Sequence, residues 1–378
     1  MNIGIFVSPR HTVPSKDDQR SVSWDTASYL ADGLVKTPGN TVTLFATRGS
    51  KTAATLVHFE MDPVDHYRGN LSTTDYRSRV AAVETSMFEK TLVEAKVRHI
   101  DILHVHEPIE PLADSIIRAG ATFPILFTLH DPIFGDRVEA LSKLASLPNV
   151  YFAAVSRAQK GRLTIPFADT IYDGIDVDCF PFTDKPDRYL MAAGRVAPER
   201  GIDDAITAAK RANTNLIVAG KIFLNLMGTN SYYHEKIEPF INDSSVIMKQ
   251  FLSRPDLAEL FGKAHAFLYP MKWDEPFGLV LVEALAAGVP VIAYNQGFVS
   301  EAVVDSATGF IIDPDNDDRP GKGTWKITKT GVDGLVEAIG QIKTIQRSAC
   351  RAYAKEHFSV NAMVASYLSL YMKLVHKQ

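Results

Sequence analysis

The sequence predicts an α/β protein built from two doubly wound parallel sheets. Three observations carry that prediction. Short β-rich runs alternate with helical patterns along almost the whole chain, as expected for parallel strands covered by helices on both faces. The 378 residues are too many for one comfortable core and suit two domains of ordinary size. The alternation breaks once, in Y-D-G-I-D-V-D-C-F-P-F-T-D-K-P-D (Tyr172–Asp187), which is rich in Gly, Pro and Asp and lacks helical period.

Taken in order, the first half offers strands at Asn2–Ser8, Thr41–Ala46, Asp101–His106, Pro124–His130, Val150–Val155 and Asp169–Tyr172. Helices are expected at Trp24–Lys36, Tyr76–Val97, Ile109–Ala119 and Arg137–Ala145. After a joint near 173–187 the pattern repeats. Strands fall at Tyr189–Ala193, Asn215–Ala219, Ser245–Met248, Ala266–Tyr269, Val289–Ala293 and Gly309–Ile312. Helices fall at Ile202–Arg211, Arg254–Ala264, Pro276–Ala287 and Val332–Ile345, and Asp315–Lys329 reads as an exposed polar loop. The last helix, Ser359–Lys373, places Met363, Tyr367, Leu370 and Tyr371 at i, i+4, i+7 and i+8, a stripe that must dock on something. The expected domains are residues 1–172, joined by the final helix at 359–378, and residues 188–358. Ligands of such folds lie beyond the carboxyl ends of the strands, so a cleft between the two domains is the expected site.

Composition narrows the class. At 46% hydrophobic and 22% charged the chain reads as soluble and globular. A formal net charge of −4 gives no reason to expect nonspecific nucleic-acid binding. Two cysteines, Cys179 and Cys350, make neither a disulfide framework nor a metal cluster and suit a reducing compartment. M-N-I-G-I-F-V-S reads as a first buried strand rather than a signal peptide. No run approaches the ~20 apolar residues of a membrane span. The expected location is the cytoplasm, with at most weak peripheral contact with a membrane.

One stretch resists a purely structural reading. In W-D-E-P-F-G-L-V-L-V-E-A-L-A-A-G-V-P-V-I-A (Trp273–Ala293), Pro276 suits a first helical position and Gly288 a helix end. Almost everything between is apolar, yet Glu275 stands at the start and Glu283 within. Carboxylates rarely stay in such surroundings unless paired or bound to a ligand. On a continuous helix, at ~1.5 Å per residue, the two would stand roughly 12 Å apart along the axis.

That stretch resembles the E-x7-E signature of the family-4 retaining glycosyltransferases, which have the GT-B fold. Further similar motifs follow the family's order: T-V-T-L-F-A (Thr41–Ala46), D-I-L-H-V-H-E-P (Asp101–Pro108), F-T-L-H (Phe127–His130), Y-D-G-I-D-V-D-C-F (Tyr172–Phe180), where the family usually reads N-G-I-D, and G-R-V-A-P-E-R-G (Gly194–Gly201). The resemblance implies two Rossmann-like domains facing across a cleft, with a C-terminal helix crossing back to the first. It also implies transfer of a hexosyl group from a nucleotide-diphosphate sugar, UDP- or GDP-linked, to an acceptor hydroxyl. Configuration is retained, the substitution is front-face, and no metal or other cofactor is needed. The acceptor is a carbohydrate, a lipid-linked group or a small molecule.

By the same resemblance Glu275 holds the donor sugar's hydroxyls, while Phe277, Gly278 and Leu279 present backbone N–H groups to sugar and phosphate. A helix start offers such donors and a positive dipole end to an anion. Glu283 grips the ribose, Arg195 and Arg200 the diphosphate, and His130 stands at the reaction centre in a positioning and electrostatic role. His106 and Glu107 line the acceptor side. Arg200 replaces the family's common Lys and keeps the charge in a planar fork. Two departures stand out. Ser21 and Val22, followed by Trp24 and Asp25, occupy the place of a Gly-Gly pair that cradles donor phosphates. Gln250 stands where relatives often have Gly near the base. The altered Ser21–Asp25 loop motivates a competing reading, a catalytically silent sugar-nucleotide binder or partner subunit. The shared architecture motivates another, a sugar phosphorylase.

Overall fold

The structure, a computed structural model, describes residues 1–16, 22–106, 112–132, 136–161, 163–222, 229–242, 244–315 and 324–377. Ser21, Glu107 and most of the loop expected at Asp315–Lys329 lie outside the described residues. The chain divides into two compact units, one of Met1–Gly174 with Val360–Gln378 and one of Ile175–Ser359.

The first unit holds strands β1 (Asn2–Val7), β2 (Thr41–Phe45), β3 (Thr55–Val57), β4 (Ile102–His106), β5 (Ile125–Leu129), β6 (Val150–Ala154) and β7 (Asp169–Thr170). Their order is β3-β2-β1-β4-β5-β6-β7, and all neighbours run parallel. Helices α1 (Val22–Val35), α2 (Thr73–Val97), α3 (Leu112–Ala119), α4 (Asp136–Ala145) and α5 (Arg157–Lys160) supply the crossovers. Strands β4 and β5 are buried at every position, so β4 encloses two histidines, His104 and His106, and β5 encloses Thr128.

The second unit holds β8 (Tyr189–Ala193), β9 (Asn215–Ala219), β10 (Val246–Lys249), β11 (Ala266–Tyr269), β12 (Val291–Tyr294) and β13 (Gly309–Ile312) in the order β10-β9-β8-β11-β12-β13, again all parallel. Its helices are α6 (Ile202–Arg211), α7 (Thr229–Tyr232), α8 (Arg254–Lys263), α9 (Leu279–Ala286), α10 (Val299–Ala302), α11 (Gly331–Gln341) and α12 (Arg347–His357). Each sheet thus reverses its strand order once, between β1 and β4 in the first unit and between β8 and β11 in the second. Such switch points open a crevice at the strands' carboxyl ends.

The terminal helix α13 (Val360–Val375) returns to the first unit. Met363, Val364, Tyr367, Leu370, Tyr371 and Leu374 are buried along one stripe and join the core beneath β1, β2 and α1. Gly33 of α1 lets the two helices approach, because a Cβ there would lie 2.6 Å from Val364 Cγ2.

Three expectations change. Residues 175–187 are no loose tether but are stitched into the second unit. Ile175 N donates to Phe358 O at 2.9 Å, while Arg351 and Arg347 donate to the carbonyls of Phe180 (2.8 Å) and Thr183 (2.7 Å). Helix α9 begins at Leu279, not at Pro276, because Gly278 (φ −101°, ψ 84°) is its N-cap and the preceding backbone is committed elsewhere. Glu275 O accepts from Phe298 N at 3.2 Å, and Asp274 Oδ1 accepts from Gly297 N at 2.8 Å. Glu275 therefore precedes the helix, and an axial spacing to Glu283 has no meaning. Finally, β3 and α12 were not foreseen, nor were the four-residue helices α5, α7 and α10. The first is only three residues long, and the second is rich in charged side chains that conceal its buried Arg347, Cys350 and Ala354.

Candidate functional site

In the second unit the polar residues gather where the strand order reverses. The loop after β8, Gly194–Gly201, meets the loop after β11. Lys272 N donates to Glu199 O at 2.8 Å, and a Cβ at Gly201 (φ 63°) would stand 2.0 Å from Pro270 O. Only glycine fits that contact. The two loops bring Arg200 to Glu275, with Nη1 donating to Oε2 at 2.6 Å. Tyr269 Oη donates to the same oxygen. The Arg200 and Glu275 side chains are only 12% and 17% exposed, so the pair is shielded without being sealed.

Burial works against the charge on Arg200, but the Glu275 carboxylate outweighs it and lifts the guanidinium above its ordinary pKa. Burial and the same carboxylate push Tyr269 well above the usual phenol range, so it stays a neutral donor. Arg200 Nε is buried with no partner among the described residues. The cluster therefore holds an unspent donor beside a carboxylate that already carries two hydrogen bonds.

Helix α9 follows directly, and no side chain caps its start. Gly278 lies close against Tyr269, because a Cβ there would stand 2.6 Å from Tyr269 Oη and force that side chain to shift. Of the other residues expected here, Leu279 opens α9, and Phe277 is turned inward, its ring 4.3 Å from that of Phe298. Only the backbone of Phe277 is left for a ligand. Glu283 is 1% exposed on α9. Arg195 is not drawn into the cluster. Its side chain is half exposed and stands 3.9 Å from Glu199.

In the first unit His130 follows β5 and His106 ends β4. His106 Nδ1 and His130 Nε2 are 2.9 Å apart, and His130 Nδ1 lies 3.3 Å from Asp173 Oδ2. Behind them His104 bonds the Tyr371 hydroxyl and Thr128 Oγ1, both at 2.7 Å, and Thr128 bonds the Tyr367 hydroxyl at 2.8 Å. Trp24 and Asp25, expected near a ligand, are buried. Trp24 Nε1 donates to Ser8 O at 3.0 Å, and the Ser15 hydroxyl donates to Asp25 at 2.8 Å.

Sequence reasoning singled out neither Tyr269 nor Asp173 for a role. Tyr269 looked like an ordinary strand residue, and its only signal was its place at the carboxyl end of the strand leading into Trp273–Ala293. Asp173 was visible only as a departure from Asn.

Two sheets of the doubly wound kind, each with a polar cluster at its carboxyl edge, define the class, and comparison with known proteins narrows it. Residues 180–329 match the family described as glycosyl transferases group 1. The chain is 31% identical over 128 residues to the lipopolysaccharide 1,2-N-acetylglucosaminetransferase of Salmonella typhimurium, covering 32% of this chain and 34% of that protein. It is 33% identical over 151 residues to a glycogen synthase of Mycobacterium tuberculosis, covering 37% and 34%. These matched stretches span about a third of the relatives' own length. Among solved structures, the sucrose-phosphate synthase of Thermosynechococcus elongatus superposes over 100% of both chains with a TM-score of 0.74 at 15% identity. AviGT4, a glycosyltransferase of avilamycin A biosynthesis, covers 100% of this chain and 99% of its own with a TM-score of 0.69 at 18% identity. The likeness to the group 1 glycosyl transferases is carried by residues 180–329, and the chain has the GT-B fold.

Proposed function

We propose that the protein is a retaining hexosyltransferase that uses a nucleotide-diphosphate sugar. The observation that supports this most is the shielded Arg200–Glu275–Tyr269 cluster at the strand switch of the second sheet, directly ahead of the uncapped start of α9. A buried ion pair is poor evidence of stability, since its desolvation offsets much of its attraction. It is a useful device if a ligand is to take both partners. A diphosphate attracts the guanidinium and its unspent Nε–H, and the sugar hydroxyls then donate to the carboxylate so released. The helix start adds backbone N–H groups for the phosphate, and Glu283 is assigned to the ribose.

As the glycosidic bond breaks, negative charge grows on the departing diphosphate, and a cation held there favours the transition state over the ground state. The acceptor hydroxyl attacks from the face the diphosphate leaves, and His130 is assigned a positioning and electrostatic role. Structures of Anabaena HepE, which share this fold, hold UDP and UDP-glucose, which supports starting with uridine donors.

The test is a thermal-shift panel of UDP-, GDP-, ADP- and TDP-sugars, since a ligand that binds only the folded state raises its melting temperature. Transfer is then assayed with the donor that shifts most, with and without EDTA. One sugar nucleotide should stabilise the protein and be consumed equally well in both. Stabilisation without hydrolysis or transfer across a broad acceptor panel would mean a silent binder. Sugar-1-phosphate formed from disaccharide and phosphate without nucleotide would mean a phosphorylase.

A further inference from the structure

The three histidines of the first unit are not equivalent. His104 has both ring nitrogens engaged, by Tyr371 and Thr128. His130 also has both engaged, by Asp173 and His106. The side chains of His130 and Asp173 are 1% and 0% exposed, and His106 is 0% exposed. A fully enclosed carboxylate requires a hydrogen-bond donor, and His130 Nδ1 is the donor that faces Asp173 Oδ2.

We propose that Asp173 and His106 are positioning residues that fix the tautomer, orientation and proton affinity of His130. With Asp173 ionised, His130 keeps its proton on Nδ1. A neutral His130 then presents a lone pair at Nε2, which the Nδ1–H of His106 fills at 2.9 Å. A protonated His130 donates at both ends instead; the neutral His106 then accepts at Nδ1 and carries its own proton on Nε2. The Nδ1–H to Asp173 is common to both states, so the ring holds one orientation whether or not it carries charge. Asp173 also neutralises that charge where solvent cannot. This is the logic by which a buried carboxylate holds a histidine for its task.

Among the described residues, the other ionisable groups that face His130 do not compete. His104, whose ring lies 4.1 Å from that of His106, and His106 itself are held well below the usual imidazole range, first by burial and then by neighbouring imidazoles. Tyr367 is raised above the usual phenol range by burial and by the charge of Asp173, so it stays neutral. Asp173 is the one carboxylate that the structure sets against His130 among the described residues.

The inference rests on His130 serving the transfer reaction, and the experiment separates the two. Nitrogen-15 spectra of imidazole-labelled free protein read the ring states without any substrate. The proton of His130 should sit on Nδ1 throughout the neutral range. Asp173→Asn keeps an acceptor but removes the charge, so the His130 titration midpoint, and with it the matching limb of the kcat–pH profile, should move to lower pH by at least about one unit. His106→Leu should lower kcat at least about tenfold with donor KM within about twofold, and His106→Asn, whose amide N–H mimics Nδ1–H, should recover most of it. A bare His130 Nδ1, or an Asp173→Asn protein with unchanged titration, overturns the inference. Should the protein turn over no sugar nucleotide, the wild-type spectra still decide whether the chain of hydrogen bonds exists, and the transfer reading alone fails.

Discussion

Glu275 entered as a carboxylate that its surroundings did not explain, and the structure gives it two donors, Arg200 and Tyr269, on one oxygen. This sharpens what its replacement should do. Glu275→Gln keeps the shape but weakens the hold on Arg200 and, under the proposed function, the grip on sugar hydroxyls, interactions that would matter most as charge separates. We expect kcat to fall at least ~100-fold, about 2.7 kcal/mol of barrier. Glu283 is enclosed on α9, so Glu283→Gln, which preserves volume, is the fair probe. It should raise donor KM about tenfold with kcat changed less than about threefold. Steady-state kinetics with saturating acceptor measure both, and two variants with unimpaired kcat/KM for donor would remove the assignment. Arg195 stays half exposed beside Glu199, so its removal should cost far less than that of Arg200.

At the scale of elements, most of the fold was legible. Strands β8, β9, β11 and β13 and helix α6 have the bounds expected from sequence, because apolar runs of four or five residues between turn residues leave little choice. The start of α9 was not legible. Proline suits a first helical turn locally, but here Glu275 O and the Asp274 carboxylate accept from Phe298 N and Gly297 N after β12, a tertiary demand no local pattern carries. Of the site, Glu275 was legible as a carboxylate in apolar surroundings, and Arg200 through the resemblance carried by Gly194–Gly201. Their direct pairing was not, since it joins loops 75 positions apart. The α1–α13 contact offers an element-scale test. Gly→Ala inside an exposed helix ordinarily stabilises by about 1 kcal/mol. At Gly33 the added Cβ meets Val364 at 2.6 Å, and overpacking costs about 1–3 kcal/mol. Gly33→Ala should therefore be destabilising by roughly 1 kcal/mol in urea unfolding. A stabilised variant would mean the helices do not pack this closely.

For the molecule, the buried imidazoles set an acid limit on the first unit. His104 and His106 are held neutral in the folded state and regain an ordinary pKa near 6.5 on unfolding. Below about pH 6.5 the unfolded chain binds protons that the folded one refuses. Stability then falls with pH by about 1.4 kcal/mol per unit for each histidine until its folded pKa is reached. Calorimetry from pH 7 to pH 5 should show the transition involving residues 1–174 moving down more steeply than that of residues 175–359. Parallel shifts would contradict the neutral assignment.

The return of α13 has a consequence for synthesis. Residues 175–359 are complete in the chain before Val360–Val375 leaves the ribosome, whereas the sheet that begins at Asn2 must wait for Tyr367 and Tyr371 to cover His104 and Thr128. The unit begun first is therefore finished last, against the usual N-to-C order of domain folding. A nascent chain stalled after Ser359 should carry a protease-resistant second unit and a protease-sensitive first one. Supplying residues 360–378 as a separate peptide should restore resistance to the first.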